Sequence, residues 1–339
     1  MRPSPSKSRP ADGRSGARGQ VARARPQEDA IVEVTWCYYQ DGMNQNEIAE
    51  RLGISRATVV NYLAEARKRD YVRISLDTDV FRNQDLARRL VDQFGLRDAV
   101  VIPSSPDGAE KSLERVTRVV ADWLPGLLEP GDRLGVAWGE TVYRVAEAAP
   151  RVTMENLTIV QLVGSRPAAL GFAAETCSAT LARRYGAHCV NLHVPLVLSN
   201  KDLVERLRQE PVIEAQLQAV ANCNKTIFAC GTCGEDSHVV HTGLLDRADI
   251  ESCAEKGAIG VICGRLIDHK GQGLNRDIED RMIAVTLDQM RNKDMGLLVG
   301  SGPDRAEPML AAIRGGYATH VATCSSTAAD LLKLATEYA

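Results

Sequence analysis

The chain has 339 residues, 44% of them hydrophobic and 25% charged, which suits a globular protein of two domains and excludes a largely disordered or fibrous one. No run approaches eighteen consecutive apolar residues, and the first thirty are rich in Arg, Pro and Gly, so neither a membrane span nor a signal peptide is expected and the cytoplasm is the expected compartment. The net charge of -3 hides an asymmetry: residues 1–76 hold 13 Lys/Arg against 9 Asp/Glu, and residues 77–339 hold 28 against 35, so a basic front that suits a polyanion precedes an acidic remainder.

Residues 1–26 carry seven Arg/Lys and no aromatic residue, which predicts a disordered basic leader with at most non-specific phosphate contacts. From Gln27, Ile31, Val34, Thr35 and Tyr38 recur at helical spacing up to Asp41 and Gly42. Residues 44–69 then read as two short helices joined by a tight turn. Ile48, Ala49 and Leu52 face inward on the first, Gly53 supplies the positive φ of the stop, Ser55 caps the second, and Val59, Leu63 and Ala66 are its inner face. A small residue at 49, Gly at 53 and Val at 59 are what two helices need to cross closely in a helix-turn-helix. The second helix then presents Arg56, Thr58, Asn61 and Arg67 for a major groove, where Arg suits guanine, Asn suits adenine, and Thr suits a phosphate or a thymine methyl. The alternative is a helical hairpin with a solvated polar face. Residues 71–76 alternate as a short strand, completing a helix-turn-helix domain over 27–76, and 77–83 is the expected linker.

Beyond residue 84 a helix (84–94) leads into short apolar strands at 99–102, 133–137, 157–162, 189–192, 225–229, 260–262, 296–299 and 320–322. Helical patterns such as 113–128, 175–185 and 305–314 alternate with them, which predicts an α/β fold with a mainly parallel sheet covered on both faces. Gly139 ends one strand and opens a helix beginning Glu140-Thr141, so backbone N–H groups and a hydroxyl could cradle an anion there. Gly164, Ser165 and Gly302 fall at further strand ends, where ligands collect in open α/β sheets. Arg305 could clamp a phosphate or pair with a neighbouring carboxylate, and Asp268 could accept sugar hydroxyls or sit in a solvated loop.

Nine cysteines, an odd number, do not suggest a disulfide framework. Cys230, Cys233, His238 and His241 form C-x2-C-x4-H-x2-H, but the inner loop is short for a tetrahedral site, so no metal is expected; a metal- or thiol-responsive role is the alternative.

The segment NEIAERLGISRATVVNYLAEARKRDYVRISL, followed in order by LGVAWGETVYRVA, QLVGS, GAIGVICGRLIDHKG and LLVGSGPDRAEPMLAAIRGGYATHVAT, resembles the SorC/DeoR-type sugar-binding transcriptional regulators over about residues 30–339. The resemblance implies a homo-oligomer, dimer or tetramer, that binds double-stranded operator DNA. It also implies that residues 84–339 form an effector-binding and oligomerisation domain with the fold of sugar-phosphate isomerases and CoA transferases, taking a phosphorylated sugar or sugar alcohol. Gly139, Glu140, Thr141, Gly164, Ser165, Asp268, Gly302 and Arg305 are then its effector-site residues, and Ser55, Arg56, Thr58, Asn61 and Arg67 its DNA-site residues. Three positions depart from the family pattern: Asn61 stands where a second Arg is usual, Arg305 where Lys is common, and Cys324-Ser325 where an acidic pair precedes Thr327-Ala328. No cofactor is expected. A DNA-tethered isomerase-like enzyme is the rival reading, but no compact acid-base pair supports turnover, so the chain is expected not to be an enzyme.

Overall fold

The computed structural model describes residues 26–74, 83–166, 172–234, 247–274 and 278–337, and the chain divides after Ile74 into two compact units. The leader expected over 1–26 lies outside the described residues except for Pro26, which opens the first helix. Among the described residues, no helix is long and apolar enough to cross a membrane.

The first unit is three helices, α1 (Pro26–Tyr39), α2 (Gln45–Leu52) and α3 (Arg56–Lys68). Asn44 starts α2 with a reciprocal capping box: its side chain accepts from the Asn46 and Glu47 N–H groups, and Glu47 Oε2 accepts from the Asn44 N–H at 2.7 Å. Gly53 ends α2 at φ 63°, a left-handed backbone that a residue with a Cβ adopts only at a cost. Ser55 Oγ then accepts from the Thr58 N–H at 3.0 Å and starts α3. Val34, Cys37, Ile48, Val59 and Leu63 form the core, with Ala49, Leu52 and Tyr62 packed against it. Cys37 is an inner-face residue that helical spacing alone did not single out. The strand expected over 71–76 is corrected: Tyr71 to Ile74 carry no strand pairing, and residues 75 and 76 lie outside the described residues. Tyr71 instead donates its hydroxyl to Glu28 Oε1 at 2.7 Å, which ties the segment to α1 through a side chain.

The second unit is α/β. Its main sheet joins β1 (Asp98–Ile102), β2 (Arg133–Val136), β3 (Thr158–Gln161), β4 (His188–Val190), β5 (Lys225–Phe228), β9 (Met295–Val299) and β10 (His320–Cys324) in the order β1-β10-β9-β5-β2-β3-β4. Every pairing in it is parallel. β5, β9 and β10 are buried at every position, as continuous apolar runs covered on both faces should be. The helices of this unit are α4 (Gln84–Phe94), α5 (Ala109–Trp123), α6 (Glu140–Ala148), α7 (Ala174–Tyr185), α8 (Lys201–Arg208), α9 (Pro211–Ala221), α10 (Arg247–Glu255), the short α11 (Leu287–Met290), α12 (Ala306–Arg314) and α13 (Ser325–Glu337).

Two sequence expectations change here. The helix expected over 113–128 begins earlier and gives way at Leu124 to a 3-10 turn, because Pro125 cannot continue the α-helical ladder. The strand at 260–262 leaves the main sheet: β7 (Gly260–Ile262) is the middle of a three-stranded antiparallel sheet with β6 (Gly231–Thr232) and β8 (Arg265–Ile267). Gly260 fits there because a side chain would meet Cys230 Sγ, Ile267 and Pro308 within 3.0–3.3 Å.

The strand order places the site. From β2 the chain moves outward to β3 and β4, then returns on the other side of β2 as β5, so the order reverses between β2 and β5. In an open parallel sheet the crevice beyond the carboxyl ends of such a pair is left open for a ligand.

Candidate functional site

A cleft of about 160 Å³ lies at that reversal. It is lined by the segment after β2 (Ala137 to Thr141), the segment after β5 (Ala229 to Thr232) and the end of β9 (Val299 to Ser301), with Arg305 and residues of the small sheet. Of the effector residues expected from sequence, Gly139, Glu140, Thr141 and Arg305 are brought together in it.

Gly139 has φ 103° and stands at the N-cap of α6, where no side chain caps the helix, so the first N–H groups of α6 carry the positive end of the helix dipole toward the cleft. Glu140, the first residue of α6, would oppose an anion, but Arg144 Nε and Nη2 reach its Oε1 at 2.9 and 2.5 Å. Arg144 also reaches Glu110 at 3.2 Å, so this guanidinium is shared between two carboxylates. Arg305 stands at the N-cap position of α12 with no side-chain capping bond, donates from Nη1 to the Cys230 carbonyl at 3.4 Å and lies 3.4 Å from Asp304 Oδ1. These long contacts hold the fork in place and leave most of its donor capacity to whatever enters the cleft.

The other expected effector residues lie outside the cleft lining. Gly164 sits where a Cβ would come within 2.8 Å of the Leu196 and Pro195 backbone, so its lack of a side chain serves a close crossing of two chain segments. Ser165 Oγ lies 3.4 Å from the Leu192 carbonyl, to which it donates, and its backbone bridges Pro195. Asp268 accepts from the Lys270 and Gln272 N–H groups at 2.9 and 2.8 Å, which closes the turn after β8. That turn is pinned in place by Tyr317, whose hydroxyl donates to the Gly271 carbonyl at 2.6 Å. Gly302 gives its N–H to Thr327 Oγ1 at 3.1 Å and accepts the same hydroxyl on its carbonyl, so its polar groups serve the β9 to α12 connection.

Several lining residues carried no sequence signal for this cleft. Trp138, Ser301 and Cys263 sit inside recognised motifs and Cys230 stands in the sequence only as a candidate metal ligand, while Thr232 arrives only because β5 and the small sheet are neighbours in space. Ser301 links the cleft to a hydroxyl cluster where the family's acidic pair would stand. Its Oγ donates to Cys324 Sγ at 3.1 Å, and Ser326 and Thr327 hydroxyls lie 3.2 and 3.3 Å from the same sulfur. Burial would push the Cys324 thiol up, but the hydroxyls of Ser104, Ser301, Ser326 and Thr327 outweigh it and bring the thiol down to about 6.

Burial pushes Cys230 and Cys233 up to about 12, so without a metal both hold their protons. His238 and His241 of the same spacing lie outside the described residues, and among the described residues no group of three or more His, Cys, Asp or Glu could hold a metal ion.

In the first unit the expected DNA-site residues share one helix and its cap. Arg56, Asn61 and Arg67 are exposed and Thr58 is half-buried, while Val59, Leu63 and Ala66 are buried beneath them. Ser55 and Thr58 bond each other at 2.8 Å, so both belong to the cap first. Arg56 Nε donates to Gln45 Oε1 at 3.3 Å, and Arg67 Nε to the Leu63 carbonyl at 3.3 Å; both side chains keep further donors.

The sugar-binding domain family matches residues 78–333. The chain is 31% identical over 310 residues to the transcriptional regulator YjhU of Escherichia coli strain K12, covering 90% of this chain and 94% of that protein. It belongs to the SorC/DeoR-type sugar-binding transcriptional regulators. The deoxyribonucleoside regulator of Bacillus subtilis strain 168 is 30% identical over 312 residues, 91% of this chain and 98% of its own. The crystal structure of the full-length sorbitol operon regulator SorC from Klebsiella pneumoniae superposes with a TM-score of 0.72 at 24% identity, covering 90% of this chain and 98% of that one, which shows a shared fold. Family membership makes this chain a DNA-binding transcriptional regulator with a sugar-binding domain, and α1 to α3 are its helix-turn-helix.

Proposed function

We propose that the cleft binds a phosphorylated sugar or sugar alcohol, that its phosphate lies between the amino end of α6 and Arg305, and that occupancy changes the affinity of α3 for operator DNA. The observation that carries this reading is the convergence in one cleft of an uncapped helix N-terminus at Gly139 with the guanidinium of Arg305, from 166 positions further along the chain. A helix N-terminus and an arginine fork are complementary to one phosphate, and Arg144 offsets part of the charge of the neighbouring Glu140 carboxylate. The domain senses its ligand and does not turn it over. One short recognition helix reads few base pairs, so the chain acts as a dimer or tetramer on a two-fold operator, in the cytoplasm.

A thermal-shift screen of sugar phosphates beside the matching free sugars tests the effector half, since a ligand that prefers the folded state raises Tm. The reading requires the phosphorylated member of a pair to stabilise the protein and the free sugar to do so much less. Equal stabilisation by both would remove the phosphate from the proposal. For the DNA half, Arg56→Ala and Asn61→Ala should each cost about 1–3 kcal/mol of operator affinity in footprinting, without loss of helical signal. Unchanged affinity in both would remove α3 from base readout.

A further inference from the structure

One residue on the exposed side of α3 does not fit the chemistry of its neighbours. Val60 is 41% exposed, the one large apolar side chain of α3 left in solvent to that extent among the described residues. A single exposed valine is ordinary on a protein surface, so exposure alone means little. Its position gives it meaning. It lies one turn after Arg56 and two turns before Arg67, on the flank that those two cationic side chains share, and directly before Asn61 of the outer line. The outermost line of the same helix is Ala57, Asn61, Ala64 and Lys68, all exposed, with two alanines that keep it short. A helix with short residues on its outer line can sit deep in a groove, which brings a branched side chain on its flank to the base edges.

The major groove offers Val60 little that it can use. Guanine N7 and O6, adenine N7 and N6, cytosine N4 and thymine O4 are all polar, and burying an aliphatic group against them removes water from donors and acceptors without replacing it. The thymine C5-methyl group is the apolar feature of that groove. We infer that Val60 is a specificity-determining residue that packs on a thymine methyl group in the operator. This rests on the reading that α3 enters the major groove, and it adds a shape contact to the hydrogen bonds expected of Arg56 and Asn61. The positive charge of Arg56, Arg67 and Lys68 on the same helix favours DNA as the occupant of this surface, Arg69 being paired with Glu65 at 2.7 Å.

The test uses the full chain and a randomised double-stranded DNA library, from which the best-bound duplex is selected. Each thymine of that duplex is then replaced by uracil, which removes the methyl and leaves the hydrogen-bonding edge unchanged, and binding is measured for the parent, Val60→Ala, Arg56→Ala and Asn61→Ala. Val60→Ala is placed on a solvent-facing helical position and should keep the fold. The expected result is that uracil at one position weakens the parent about fourfold, the value of one buried methyl, while Val60→Ala binds thymine and uracil duplexes equally. An equal uracil penalty in parent and Val60→Ala would overturn the inference, because another side chain would then be reading the methyl. A parent indifferent to every uracil substitution would also overturn it, and α3 would still stand as the reading helix if Arg56→Ala and Asn61→Ala had lost affinity. Should no duplex be enriched at all, the groove-binding reading and the inference would fall together.

Discussion

At the amino ends of the seven-stranded sheet, charge is enclosed; at the carboxyl ends, polar groups face an open cleft. Lys225, at the start of β5, donates to Asp132 Oδ2 and to the Leu127 carbonyl, each at 2.7 Å. Asn224 donates to Asp132 Oδ1 at 2.7 Å and to Asp294 Oδ2 at 3.1 Å, and the Glu129 N–H gives Asp132 a further bond at 2.7 Å. The Lys225 and Asp132 side chains are 10% and 8% exposed, so these ions have exchanged water almost wholly for protein partners. At the other end Arg305, Thr141 and the first N–H groups of α6 border the cleft, and the hydroxyl cluster around Cys324 lies behind it. On the effector site proposed above, one end of the sheet would serve strength and the other response, and substitutions should separate the two.

The largest expected effect is at the enclosed end. Asp132→Ala strands the Lys225 ammonium and should lower the unfolding free energy by about 3–5 kcal/mol, read by denaturant titration. The same pair fixes an acid limb. Burial raises the Asp132 carboxyl, but the bonds from Lys225, Asn224 and Glu129 outweigh it and hold the carboxyl below its ordinary value of 3.8. A carboxylate depressed in the folded state contributes stability that is complete above its unfolded value and is lost as the pH falls through its folded value. Asp132→Ala should therefore narrow its deficit relative to the parent below about pH 4. A deficit independent of pH would show that the carboxylate's charge is not what stabilises this end.

Cys324 gives a second pH dependence at the opposite end. Its folded value of about 6 lies below the ordinary 9.0, so its stabilising contribution is complete above pH 9 and is lost as the pH falls through 6. Between these limits the stability difference between the parent and Cys324→Ser should grow as the pH rises. A flat difference over that window would mean that the hydroxyl cluster surrounds a neutral thiol.

The two ends also differ in how far the sequence disclosed them. The helix-turn-helix was legible because Ala49, Gly53 and Val59 impose their geometry locally, and so did the turn at Gly139, where a glycine and a helix start are neighbours in sequence. Arg305 was legible as a residue following a glycine turn. Its partnership with Gly139 was not, since it depends on β2, β5 and β9 being adjacent in the sheet. Gly164 and Gly302 show the converse difficulty. A glycine at a strand end looks the same in sequence whether it admits a ligand or a neighbouring backbone, and only the 2.8 Å approach of Leu196 identifies Gly164 as the second kind. The ion pair of Asp132 with Lys225 joins residues far apart in the chain and left no local pattern.

Arg305→Ala sharpens the comparison at the open end. It should remove a charge-assisted contact worth about 1.5–3 kcal/mol, ten- to a hundredfold in affinity for the sugar phosphate identified by the thermal screen, while Tm in the absence of ligand stays near that of the parent. Its contacts to the Cys230 carbonyl and Asp304 are long and partly exposed, so little of the fold depends on them. A large drop in Tm without ligand would place Arg305 with the strengthening residues instead.

Thr141→Val should have the smallest effect. Val matches Thr in shape and removes only the hydroxyl, and the backbone N–H groups at the start of α6 remain in place to meet an anion. Calorimetric titration should show a loss of about 0.5–1.5 kcal/mol, the net value of one neutral hydrogen bond, and less than the loss in Arg305→Ala. The order of the two variants is the informative result. If Thr141→Val cost as much as Arg305→Ala, the hydroxyl would be a principal anchor and the helix N-terminus a minor one. If neither variant altered ligand affinity, the ligand would have to bind away from the cleft, and the contrast between the two ends of the sheet would lose its functional half while the ionic half at Asp132 and Lys225 stood unchanged.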